Sequence, residues 1–407
     1  MASENLIAAL DIGTTKIFCV VGEMDPSGEI YLIGHGLAPA DGLRRGVVVD
    51  MDKTVKAIRQ AVENAQMISG VEIDRVTVGI AGEHIRSINS HGVIVVGRSD
   101  SEITDADVKR ALDAARTVAI PVDREIIHVV PQSFSVDDQT GIQDPVGMTG
   151  VRLEVEAHIV TASVTSARNI YRTLERCHLG IDNIVLEPLA FSQILLSEHD
   201  MDSGCLLLDI GGDITGVSVF FDGAIRYSSV VSLGGRNVTN DIAIGLRTSV
   251  SQAEDLKIAH GAALTSLVDP TDMIELPVAG ARTSKEISRN VLASIIEPRV
   301  EEVFSLAARE LRQVVPLDRL ASGVILTGGG ASLYGTAELA EQIFDTPARV
   351  GEVKGLAHVP DELRGPAYAT GLGLMVYGFA HEPNLPSQGG RVRSWLARIE
   401  EWITRKM

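Results

Sequence analysis

Residues 204–235, GCLLLDIGGDITGVSVFFDGAIRYSSVVSLGG, repeat the plan of residues 6–36, LIAALDIGTTKIFCVVGEMDPSGEIYLIGHG. Each starts as an apolar run, reaches Asp-Ile-Gly, continues as a second apolar strand, turns at DPSG or DG, and returns as a third strand. Asp11 and Asp209 stand 198 positions apart. A repeat at that spacing predicts two related lobes facing one another, not a short-period solenoid. A length of 407 residues suits two lobes, and a hydrophobic content of 45% is enough to fill their cores.

The Asp-Ile-Gly turns point to phosphate chemistry. In DIGTTK, residues 11–16, a tight turn between strands aims successive backbone N–H groups to one side, and such nests bind phosphate oxygens. Gly13 permits the turn, and Thr14, Thr15 and Lys16 add hydroxyl and ammonium donors. DIGG at 209–212 supplies a second turn through Gly211 and Gly212. Two such turns on two lobes grip a triphosphate from both sides. Asp11 and Asp209 then lie near a Mg²⁺ ion and act through its waters, because Mg²⁺ keeps much of its hydration shell. Taken singly, either aspartate also reads as a strand-end cap. TGGGA at 327–331 offers a backbone, Gly328 to Gly330, free to lie flat against a purine and ribose. Glu254 and Lys257, three apart on an expected helix, reach toward a ribose or adenine edge or form a surface ion pair.

Between the repeats, strands and helices alternate. ITDADVKRALDAARTVA predicts a helix capped by Thr104 with Asp105 and Asp107 in its first turn. SINSHGVIVVGRS reads as a strand pair, SARNIYRTLERCHLG as a helix ending at Gly180, and residues 288–315 as one long helical pattern. Residues 85–160 have the make-up of a small inserted α+β unit.

A net charge of −18 argues against nucleic acid as a partner. Three cysteines without metal-like spacing suit a reducing compartment. No signal peptide is expected at the N-terminus, and no apolar run reaches the roughly 18–20 residues that span a bilayer, so any membrane contact is expected to be peripheral. Residues 391–407, RVRSWLARIEEWITRKM, hold both tryptophans, with five basic groups against two acidic ones. Val392, Trp395, Leu396, Ile399, Trp402 and Ile403 fall on one helical stripe. EPNLPSQGG before it reads as a flexible linker at 382–390. A core helix and a docking helix for a protein groove both fit the stripe. An amphipathic helix in an anionic membrane surface fits better, because indole favours the headgroup boundary and basic flanks favour anionic lipid.

Five segments, ALDIGTTK, IVLEPLAFSQIL, LLDIGGDITGVSVF, GVILTGGGASL and GPAYATGLGL, follow the order of the actin, Hsp70 and sugar-kinase ATPase fold. They resemble its two phosphate loops, adenosine loop and two connecting helices. RRGVVVDMDKTVKAIRQAVENAQ, GIAGEHIRSINSHGVI and the basic tryptophan-bearing end make the chain similar to the FtsA family of cell-division actin homologues. The resemblance implies an α/β, actin-like two-lobed fold. Subdomain 1A is expected at 1–84, 161–203 and 361–381, with the inserted 1C at 85–160, 2A at 204–236 and 313–360, and 2B at 237–312. It implies ATP with Mg²⁺ in the cleft, held also by Gly234, Gly235 and Thr215, with Glu187 in the position that orients an attacking water. One departure stands out: many relatives read DIGGGT where this chain reads DIGGDIT, so Asp213 brings a negative charge toward the expected phosphates. Slow or absent turnover is therefore expected. The resemblance also implies that Arg299 and Glu302 contact the FtsZ C-terminal peptide, and that the protein assembles with itself and receives later division proteins through 1C. It implies a peripheral place on the cytoplasmic side of the bacterial inner membrane, at the septum. A pilus-assembly protein of the same fold and a small-molecule kinase remain as alternatives.

Overall fold

The computed structural model describes residues 5–97, 102–277, 284–315 and 319–381. The chain opens with β1 (Leu6–Ile12), β2 (Lys16–Met24) and β3 (Ile30–Pro39), then a short hairpin of β4 (Leu43–Arg44) and β5 (Val47–Val48). Helix α1 (Met51–Ser69) starts where the Asp50 carboxylate accepts from the Lys53 N–H and stops at Gly70 in the left-handed region. Strand β6 (Arg75–Ile80) follows.

Next comes the insert: β7 (Ile85–Val95), α2 (Asp105–Arg116), β8 (Arg124–Val136), β9 (Gln139–Ile142) and β10 (Arg152–Ser163). Its sheet runs β7-β10-β8-β9. The first lobe resumes with α3 (Val164–Arg176), β11 (Gly180–Leu186), α4 (Glu187–Leu195) and α5 (Glu198–Ser203). The second lobe holds β12 (Cys205–Ile210), β13 (Thr215–Phe221), β14 (Ala224–Val231), α6 (Gly235–Leu246), α7 (Val250–His260), β15 (Met273–Pro277), β16 (Ser284–Ser288), α8 (Arg289–Leu311), β17 (Val324–Thr327), α9 (Thr336–Phe344) and β18 (Ala348–Val350). Helix α10 (Ala369–His381) returns to the first lobe and packs on α4 and β1.

The sequence repeat is a repeat of topology. The first sheet is ordered β11-β6-β1-β2-β3 and the second β18-β17-β12-β13-β14. In each, the Asp-Ile-Gly strand pairs antiparallel with the next strand and parallel with a later one. Both turns therefore lie at the same end of equivalent strands. Strand periodicity divides the cores: Leu206 and Leu208 face the second-lobe core, whereas Cys205 and Leu207 face the core that holds β1 and α10. The insert has its own core around Phe134, Leu153, Ile159 and Leu112.

Three local expectations change. SINSHGVIVV is one strand, β7, not a pair. Helix α3 ends at Arg176, and Gly180 instead begins β11. Helix α8 covers 289–311 and is preceded by the β15–β16 hairpin. Helix α2 stands as expected: the Asp107 carboxylate accepts from the Thr104 N–H at 3.0 Å, closing the cap.

Candidate nucleotide-binding cleft

The β1–β2 turn, Gly13 to Thr15, and the β12–β13 turn, Gly211 to Ile214, meet across the cleft. A Cβ added to Gly212 would lie 2.4 Å from Thr15 Cγ2 and 2.9 Å from Thr14 Oγ1, so glycine is needed for this approach. The loop before α6 closes under the second turn. Gly235 N–H donates to Gly211 O at 2.9 Å and Arg236 N–H to Gly212 O at 2.7 Å. The N-terminal end of α6, the positive end of its dipole, thus sits at the turn.

Three acids converge beneath these turns. Burial pushes the Asp11 carboxyl up to about 6, against the pull of Lys16. Burial and then the neighbouring Asp11 push Asp209 up to about 6. Glu187, first residue of α4, is raised well above the usual range by burial, then by Asp11 and Asp209, with Lys16 opposing. One ammonium therefore faces three carboxyls. Lys16 Nζ donates to Ala367 O and lies 4.9 Å from the centre of the Tyr368 ring, so the segment before α10 fixes its position.

The third glycine cluster folds back onto β12. Gly328 has φ 81°, and a Cβ there would lie 2.3 Å from Asp209 Oδ1. Its N–H donates to Pro366 O at 3.1 Å, while nothing crowds Gly329. On the facing wall, Lys257 Nζ reaches Glu254 Oε2 at 2.7 Å, Thr239 Oγ1 at 2.9 Å and Gly235 O at 3.2 Å. The Glu254–Lys257 pair is therefore part of a network on the loop that carries Gly234 and Gly235, not an isolated surface pair.

The fold brings together Asp11, Gly13, Thr14, Thr15, Lys16, Glu187, Asp209, Gly211, Gly212, Asp213, Gly234, Gly235, Glu254, Lys257 and Gly328 to Gly330. Thr215 differs: it is fully buried and its hydroxyl donates to Leu233 O at 2.9 Å, bracing the corner after β14. The Asp213 carboxylate is engaged by Arg45 and Arg236. The sequence reading missed Arg45, Arg236, Thr239 and Ala367. A basic residue directly after Gly234-Gly235 was the one local signal, as a counter-charge to Asp213. Arg299 and Glu302 lie on α8. The Arg299 fork binds Asp241 at 2.6 and 3.2 Å and also pairs with Glu302. Trp395, Leu396, Ile399, Trp402 and Ile403 lie outside the described residues.

The family model described as "Cell division protein FtsA" matches residues 206–373, and "SHS2 domain inserted in FTSA" matches residues 82–161. A cell division protein FtsA of Pseudomonas aeruginosa is 40% identical over 98% of both chains. The chain belongs to the FtsA family. FtsA of Neisseria meningitidis is 41% identical over 98% of both chains, and that of Escherichia coli K12 34% identical over 99% of this chain. Among solved structures, the PilM–PilN type IV pilus biogenesis complex superposes with a TM-score of 0.67 at 17% identity, over 93% of this chain and 99% of that one. MreB5 of Spiroplasma citri bound to ADP superposes with a TM-score of 0.56 at 13% identity, over 94% and 99%. The fold is actin-like, and the family role is in cell division. The FtsA insert occupies the place of β7 to β10.

The cleft residues suit a nucleotide with a hydrated divalent cation. Among the described residues, no three His, Cys, Asp or Glu side chains form a direct metal cage. Burial raises the proton affinity of both Asp11 and Asp209, and at Asp209 the neighbouring Asp11 adds to it. A cation held through its waters would favour their charged forms. Turns of this kind aim backbone N–H groups at phosphate oxygens, although the Gly211 N–H is itself taken by Ile214 O at 2.9 Å. Among the described residues, no helix is long and apolar enough to cross a membrane.

Proposed function

We propose that this FtsA-family chain binds ATP with Mg²⁺ between its lobes, assembles with itself, and ties FtsZ filaments to the cytoplasmic face of the inner membrane at the septum. The observation that carries the reading is the pair of glycine turns meeting over Asp11, Asp209 and Glu187. Gly13 to Lys16 and Gly211–Gly212 would hold the phosphates, Gly328 to Gly330 with Glu254 and Lys257 the nucleoside, and Asp11 and Asp209 the hydrated cation. The cation would supply charge neutralisation. Glu187, the first residue of α4, would orient the attacking water, with slow turnover expected. Arg299 and Glu302 on α8 serve as the FtsZ-peptide contact. The insert, read as subdomain 1C, carries self-contacts and later division partners, and residues 391–407 form the anionic-lipid anchor.

Calorimetry of the full chain with ATP, with and without Mg²⁺, tests the cleft. Binding that strengthens with Mg²⁺ is expected, and no binding in either condition removes the nucleotide reading. Co-sedimentation with liposomes containing anionic lipid, comparing the full chain with a 1–384 truncation, tests the anchor. Equal sedimentation of the two would remove it. ATP turnover stimulated by sugars would favour a kinase instead.

A further inference from the structure

The acid that seemed out of place in the second phosphate turn has a partner. Asp213 Oδ2 accepts from the Arg45 N–H at 2.9 Å, and its Oδ1 lies 3.1 Å from Arg236 Nε. Arg236 Nη2 then donates to Thr14 O at 2.8 Å. The Asp213 side chain is 6% exposed, whereas that of Arg236 is 42% exposed. Arg45 and Thr14 belong to the first lobe, Asp213 and Arg236 to the second. The path therefore leaves the first lobe at a main-chain amide, crosses a carboxylate and a guanidinium, and returns at a main-chain carbonyl.

We infer that Asp213 and Arg236 form an internally neutral latch, which joins the second phosphate turn to the first lobe and cancels the charge that Asp213 would otherwise present to a bound polyphosphate. The second half of this inference rests on the nucleotide reading of the cleft. The first half does not.

The charges decide the design. Both first-lobe contacts are peptide groups, so the first lobe contributes no formal charge to the latch. Among the described residues, the cation paired with Asp213 is Arg236. A carboxylate this buried is costly when its cation is removed, because the remaining amide hydrogen bond does not replace an opposite charge. The first-lobe end is firmly placed. Arg45 has φ 50°, and the next residue, Gly46, packs so closely that an added Cβ would lie 2.3 Å from Ala81 O. A parallel contact supports it: Glu83 Oε2 accepts from Arg45 Nη1 at 3.3 Å and from Ser232 Oγ at 3.5 Å, again linking the lobes. The acid at 213 and the base at 236 thus act as one unit.

The test is a double-mutant cycle on the full chain. ATP affinity in Mg²⁺ is measured for wild type, Asp213→Ala, Arg236→Gln and the double variant, with thermal melts to establish folding. Arg236→Gln is expected to weaken ATP about tenfold or more, because it leaves an unpaired carboxylate beside the phosphates. Removing both groups is expected to bring affinity back to within about threefold of wild type. A double variant as weak as Arg236→Gln, or weaker, overturns the charge compensation. The second arm uses no nucleotide: amide hydrogen exchange at Arg45 is followed in wild type and Asp213→Ala. Faster exchange in the variant is expected, and unchanged exchange overturns the latch. If wild type fails to bind ATP, the nucleotide reading falls, and the exchange arm still decides the latch. If Arg236→Gln does not fold, Arg236→Lys takes its place. Lysine keeps the charge without the fork, so near-wild-type affinity supports compensation and a tenfold loss overturns it.

Discussion

The acids under the phosphate turns make a prediction about pH. Asp11 and Asp209 have their proton affinity raised to about 6 by burial, and that of Glu187 is also raised, by burial and then by Asp11 and Asp209. A carboxyl whose affinity is raised by folding contributes stability that is complete below its unfolded value and is lost as pH rises through its folded value. The ligand-free, metal-free protein should therefore lose stability as pH rises from about 4 to about 6. Asp209→Asn removes one of the mutually repelling groups. It should flatten that slope and raise the melting temperature at pH 7.5 by about 2–4 °C, while weakening Mg²⁺-dependent ATP binding. Melting curves across pH in EDTA check this, and a slope identical to wild type would contradict the charge cluster. Reading such groups from sequence succeeds only in part. Asp11 and Asp209 were legible because each ends a repeated strand. The engagement of Lys16 by Ala367 was not, because that partner lies 351 positions away. The inward turn of Thr215 toward Leu233 was hidden for the same kind of reason: the contact exists only once β13 and β14 pair.

At the scale of elements, glycine carries two opposite meanings. Gly92 made residues 87–99 look like two strands joined by a turn. In the structure β7 runs straight through, and Gly92 is small because α2 lies over it: an added Cβ would sit 2.0 Å from Ala111 O. Helix α2 itself was legible, because its cap residues lie within four positions of one another. The same close approach governs α10. A Cβ at Gly373 would lie 2.6 Å from the Ala190 carbonyl carbon, so α10 and α4 pack backbone to backbone. Gly373→Leu should cost about 3 kcal/mol or more by forcing these helices apart. Because α4 begins at Glu187, ATP affinity should fall with it. Denaturant unfolding with parallel ATP titration checks both effects, and a fully stable variant would mean the crossing yields freely. Helix α8 offers a sharper test. The Arg299 guanidinium is forked on Asp241 and paired with Glu302 within the lobe. If Arg299 is the FtsZ-peptide contact, Asp241 competes for it. Asp241→Ala should then tighten capture of an FtsZ C-terminal peptide by about two- to fivefold, since a part-exposed pair is worth about 1 kcal/mol or less. Arg299→Ala should lose capture. Unchanged peptide affinity in both variants, measured by fluorescence anisotropy, removes α8 from the contact.

At the scale of the whole molecule, the two-lobed body and the segment at 391–407 solve different problems. In the proposed reading, the body orders a nucleotide and thereby changes how copies fit together. It has no described helix able to cross a bilayer. The basic, tryptophan-bearing sequence stripe is proposed to supply the lipid affinity. Partial burial of two tryptophans and four aliphatic side chains contributes on the order of 5–8 kcal/mol before the cost of ordering a helix. Each basic group adds about 1 kcal/mol near an anionic surface. If the segment binds lipid, a single copy would be a reversible anchor and a row of copies on one polymer a strong one, because each bound segment raises the effective concentration of the next. Trp395→Glu places a charge in the centre of the stripe. It should abolish sedimentation with anionic liposomes while leaving calorimetric ATP binding within about twofold of wild type. Conditions that promote assembly should rescue a weakened anchor, such as Trp395→Ala, more than they rescue Trp395→Glu, because avidity multiplies a small affinity and cannot multiply none. Loss of both lipid and ATP binding in Trp395→Glu would show that the segment is part of the folded body, and loss of neither would show that lipid is held elsewhere.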